Sequence, residues 1–83
     1  MSVYLVRDGF SSVEAFGTPE GVVANLEGRA PLDDLWLIKA DTGDRLASRD
    51  LLGFLSSAPL GDVLSASKLG LRGDIVVSLV EIK

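Results

Sequence analysis

The chain has no cysteine and no histidine in its 83 residues. Without cysteine there can be no disulfide and no thiolate metal site to reinforce the fold. Without histidine the usual general base near neutral pH is missing, so any catalysis would fall to carboxylates, lysines, serines or the single tyrosine. No serine stands in a recognisable motif with a lysine, and the spacing of Ser65 and Lys68 is ordinary surface spacing. No catalytic residue, cofactor or metal is therefore expected. Prolines number only three, and no apolar run approaches the 18 or so residues of a membrane span. The opening MSVYLVRDG is too short in apolar residues for a secretory leader. With cysteine lacking as well, a cytoplasmic location is the expectation. The start and end of the chain beside strands further suggest a complete small product.

Excess positive charge is also missing. Eight Lys and Arg face twelve Asp and Glu, for a net charge of −4. No stretch is basic, so the footprint of a phosphate-backbone binder is not there, and nucleic acid is not an expected partner.

What the chain has in surplus is apolar residues. Ala, Val, Ile, Leu, Met, Phe, Trp and Gly make up 47 of 83, against a usual share of about 45–50% for that set. A domain this small hides only about 60% of its unfolded surface. Surplus grease in a small molecule must partly sit outside, which points to a protein partner, most simply a second identical chain.

Local signals give an α+β fold with a small, mainly antiparallel sheet and short helices largely on one face, in the order ββα-ββα-α-β. Val3–Arg7 and Val13–Phe16 read as a hairpin. Thr18, Pro19 and Glu20 start a helix carrying Val22, Val23 and Leu26 on one face, with Gly28 as its stop and Pro31 barring continuation. Leu35–Ala40 and Arg45–Ala47 read as a second hairpin, and Ser48 as the cap of a helix bearing Leu51, Leu52 and Leu55. Pro59 opens a third helix in which Leu60, Val63 and Leu64 share a face, with Lys68 near its end and Gly70 as its stop. Ile75–Ile82 is the strongest strand. Were Val13–Phe16 only an extension of the first strand, the order would become the ferredoxin-like βαββαβ.

The first half of the chain echoes in the second, as a possible internal duplication of residues 1–32 and 33–60, followed by a helix and strand over 60–83. Tyr4-Leu5-Val6-Arg7 corresponds to Trp36-Leu37-Ile38-Lys39, and Ala30-Pro31-Leu32 to Ala58-Pro59-Leu60. Three strands, Val3–Val6, Leu35–Ile38 and Ile75–Ile82, are apolar on both faces, as strands covered on both sides are. Three short helices cover one sheet face more readily than two. The second face then needs another sheet.

Asp41-Thr42-Gly43 resembles the active-site triplet of retroviral-type aspartic proteases, in which paired carboxylates of two subunits share a proton. The resemblance covers three residues. Asp44 follows where that family has a small residue, and no Gly-Arg-Asp-like segment stands at a suitable distance, so the triplet reads as a hairpin turn. Arg72-Gly73-Asp74, the tripeptide integrins read, is expected to be a glycine turn leading into the last strand. Gly70 and Gly73 precede a strand rather than a helix, unlike a phosphate-binding loop. Asp33, Asp34, Asp41 and Asp44 match no calcium-loop spacing.

The expected activity is that of a non-catalytic protein–protein interaction module: an adaptor, an inhibitor or an immunity-type factor, homodimeric and with no membrane attachment. Its contact residues are expected to include Trp36, Tyr4, Phe10 and Phe54, since large aromatics dominate binding energy at interfaces. The alternatives are a ligand-sensing regulatory module of the ferredoxin-like dimer type, with a pocket near Asp8–Ser12 or Asp41–Asp44, and a small cofactor-independent enzyme.

Overall fold

A computed structural model describes residues 1–9, 12–68 and 75–82. Six antiparallel strands lie in one sheet: β1 (Ser2–Arg7), β2 (Val13–Phe16), β3 (Leu35–Lys39), β4 (Arg45–Leu46), β5 (Gly61–Lys68) and β6 (Ile75–Glu81). Their spatial order is β2-β1-β6-β5-β3-β4. Among the described residues two helices, α1 (Pro19–Arg29) and α2 (Leu51–Ser56), join the sheet in an α+β fold. The β1–β2 hairpin with α1 lies to one side of the central β5–β6 pair, and the β3–β4 hairpin with α2 to the other.

The first helix forms where its end signals put it. Thr18 is extended, and its hydroxyl accepts the Gly21 amide at 3.2 Å. Pro19 then supplies a ready-made φ and has no amide to leave unpaired. The helix runs one residue past Gly28 and ends at Arg29, two residues before Pro31. The second helix differs from expectation. Residues 48–50 form a single 3-10 turn, and α2 spans six residues with no side-chain cap. Ser48 does not cap it; its hydroxyl donates instead to Asp33 Oδ1 at 2.6 Å.

The segment from Pro59 is not a third helix. Residues 61–68 form β5, a central strand paired with both β3 and β6. Gly61 opens it at φ +112°, a conformation that suits glycine. A bulge between Asp62 and Leu64 explains the misleading pattern. An extra residue in a strand breaks the inside–outside alternation. Val63 and Leu64 are consequently both buried although adjacent, and with Leu60 they imitate the i, i+3, i+4 spacing of a helix.

Asp41-Thr42-Gly43-Asp44 forms the β3–β4 turn. Gly43 has φ +74°, its amide donates to the Lys39 carbonyl at 2.8 Å, and the Thr42 amide donates to Asp41 Oδ1 at 2.8 Å. Asp41 is thus held as a turn residue. Arg72-Gly73-Asp74, Gly70 and Phe10 lie outside the described residues.

One core lies between the sheet and the helices. Tyr4, Val6, Leu35, Leu37, Leu64, Ala66, Ile75, Val77 and Leu79 point into it from the strands, and Val22, Leu26, Leu51 and Leu55 from the helices. At the far ends of β1 and β6 the amino terminus bonds Glu81 Oε1 at 2.8 Å, with Ser2 on the other carboxylate oxygen. Those two bonds and the terminal charge hold the Glu81 carboxyl below its usual pKa.

Candidate protein-binding surface

Strand alternation decides which side chains remain outside. In β1, Tyr4 and Val6 face the helices, so Val3, Leu5 and Arg7 face the other way. Antiparallel pairing carries this across the sheet. Val3 sits opposite Val80, Leu5 opposite Ala15 and Ser78, and Arg7 opposite Val13 and Val76. On the far half, Val76 is followed by Ser65, Ile38 and Arg45, and Ser67 pairs with Trp36. Both described helices pack on the opposite side, as their core residues show.

This open face has two apolar parts separated by polar groups. The larger part is Val3, Leu5, Val13, Val76 and Val80, on β1, β2 and β6. The smaller is Ile38 with Trp36, whose ring is covered on one side by the Arg45 guanidinium at 4.1 Å, a cation–π contact worth about 0.5–1 kcal/mol at an exposed site. Between them Asp62 accepts the Ser78 hydroxyl at 2.5 Å and the Arg7 guanidinium at 3.5 Å. Trp36 is 41% exposed and Val13 53%. Both β-branched residues and aromatics favour a flat, pleated, half-buried surface. Here nothing among the described residues completes the burial.

Of the aromatic residues expected at an interface, the three that are described, Trp36, Tyr4 and Phe54, are not brought together. Trp36 is on the open face. Tyr4 is on the other, buried in the core, with its hydroxyl donating to the Leu55 carbonyl at 2.5 Å. Burial, together with the charge of Glu20, raises the Tyr4 pKa. Tyr4 is therefore a packing residue that ties β1 to α2 and is corrected from the expected contact set. The reason is register. Matching Tyr4 to Trp36 is one residue out, because Tyr4 and Val6 share their face with Leu35 and Leu37. A slip of one residue moves a side chain to the other side of a sheet. Phe54 packs half-buried against the core, 5.7 Å below the Lys39 ammonium, and so belongs to the helix side. Phe10 is outside the described residues. Conversely, Val13, Arg7 and Arg45 were not singled out by sequence. The signal for the β6 part was legible, since Val76, Ser78, Val80 and Ile82 alternate as one face.

Among the described residues, two open grooves lie beside the 3-10 turns at residues 32–34 and 48–50, and one of them reaches β4. One, of about 420 Å³, is lined by Leu32, Asp33, Leu35, Arg45, Leu46 and Ser48, and the other runs past Glu27, Pro31 and Arg49. Both are open to solvent. Among the described residues no three metal-ligating side chains gather, and no helix is long and apolar enough to cross a membrane.

No protein-family model matches the sequence, and no curated protein or solved structure matches it either.

Proposed function

We propose that the chain is a non-catalytic protein-binding module, an adaptor, inhibitor or immunity-type factor, whose docking surface is the open face of the sheet. One observation carries the reading: both helices lie on one side of the sheet, while Val3, Leu5, Val13, Ile38, Val76 and Val80 line the other with Trp36 beside them. An apolar patch of this breadth on a small acidic chain costs solubility unless something docks there. Trp36 with Arg45 provides the aromatic–arginine pairing common among residues that dominate binding energy. The residue types support binding over catalysis. The carboxylate on the face, Asp62, is engaged by a serine and an arginine, and no imidazole or thiol exists to act beside it.

A photo-crosslinking residue placed at Val76, on the open face, or at Glu20, on α1, tests the reading in an extract of the cells that make the protein. Covalent protein adducts are expected from Val76 and not from Glu20. Adducts from Glu20 with none from Val76 would reject the open face as the docking surface.

A further inference from the structure

Three features of the open face bear on what occupies it. The first is where the acid lies. Glu20 and Glu27 are on α1, Asp33 and Asp34 in the 3-10 turn before β3, Asp41 and Asp44 in the β3–β4 turn, and Asp50 before α2. Glu14 faces the helix side with Val6, bonded to Asn25 at 2.9 Å, and Glu81 lies on that side with Leu79. Among the described residues the open face holds one carboxylate, Asp62, and two guanidinium groups, Arg7 and Arg45. A chain of net charge −4 repels its own copies. That repulsion is smallest where the acid is scarce.

The second feature is area. Six strands about 4.8 Å apart, with about five residues each at roughly 3.3 Å, give a flat footprint on the order of 500 Å² per copy, or about 1,000 Å² for a pair before side-chain relief is added. That reaches the size at which specific interfaces begin. The third feature is that the face's one carboxylate among the described residues is already partnered. Asp62 accepts the Ser78 hydroxyl at 2.5 Å and the Arg7 guanidinium at 3.5 Å, so covering it buries no unpaired anion, while the Arg45 guanidinium lies over the Trp36 ring.

We propose that the open sheet face packs against the same face of a second copy of this chain, sheet on sheet, with Val3, Leu5, Val76 and Val80 at the centre of the contact. This rests on the reading of that face as the docking surface and names its occupant. Two such faces meet as the halves of a β-sandwich do, with the sheets about 10 Å apart.

Sedimentation equilibrium on the full chain tests it. The native protein is expected at twice its 8.8 kDa mass at tens of micromolar. Val80→Glu is expected to weaken association at least ~10-fold, since a carboxylate would be buried without a partner. Leu52→Glu puts the same charge on the exposed, 42% accessible outer side of α2 and is expected to leave association unchanged. Circular dichroism checks that both variants fold. Should Val80→Glu fail to fold, Val13→Asp on the edge strand replaces it. Added salt is expected to tighten the dimer, because screening relieves repulsion between anionic chains. Dissociation by Leu52→Glu but not by Val80→Glu overturns the proposal, and so does a dimer that loosens with salt. A single-copy mass at hundreds of micromolar overturns it too. In that last case Val76 adducts to a different protein would leave the docking face standing and remove only its identical partner.

Discussion

Replacing Leu37 by alanine is expected to destabilise the fold by about 2–5 kcal/mol, the usual cost of removing a fully buried leucine side chain. Leu37 is inaccessible to solvent and lies between Ala66 and Leu46 on the helix side of the sheet. Folding free energies of about 0.05–0.15 kcal/mol per residue leave a chain of this length only roughly 4–12 kcal/mol in all. A loss of this size therefore lowers the melting temperature by at least about 8 °C, at about 4–8 °C for each kcal/mol in domains this small. The neighbouring change Ile38→Ala is the internal comparison. Ile38 points to the open face and is only half-buried in a single copy. Measured at a dilution where the chain is monomeric, it is expected to cost less than half as much. Thermal unfolding of the two variants side by side reads the difference. Equal losses would mean that the two sheet faces are equally covered.

A larger effect is expected from Ala66→Glu. Ala66 is inaccessible, and in the centre of β5 it lies between Leu37 and Ile75 beneath the helices. The longer side chain overpacks the site by about 1–3 kcal/mol. Its carboxylate must also either leave water unpaired or take up a proton, at a further cost of several kcal/mol. The variant is expected to be unfolded at room temperature by near-ultraviolet circular dichroism. The same experiment separates strand from helix over residues 61–68. On a helix whose inner face is Leu60, Val63 and Leu64, residue 66 falls on the outer side, where glutamate would be harmless. A folded Ala66→Glu variant would contradict the central strand.

These two sites also mark where the sequence was legible and where it was not. Thr18-Pro19-Glu20 announced α1 because the cap, the preset φ and the first-turn acid are local effects, and the structure places the Thr18 bond to Gly21 where they imply. The central position of β6 was legible from its two apolar faces, and β6 indeed pairs on both sides. β5 was not legible, since the bulge at Asp62–Leu64 replaced a period of two with a false helical one. Nor does Ser48 show from sequence that it will serve Asp33 rather than a helix end, because that bond joins residues 15 apart. The candidate surface was half visible. Its existence followed from counting faces against helices, but its membership needed register. Tyr4 and Trp36 look equivalent in the chain, yet one residue of offset puts the first under α2 and the second in solvent.

The sheet has one side sheltered by the described helices and one side bare. Hydroxyl-radical footprinting across a dilution series, read by mass spectrometry, measures this directly. In dilute protein Val3, Leu5, Val76, Val80 and Trp36 are expected to be labelled, and Leu37, Leu64 and Val77 to be spared. As concentration rises, labelling of the first group is expected to fall. Val76 and Val80 as well protected as Leu37 and Val77 in a chain of single-copy mass would contradict it.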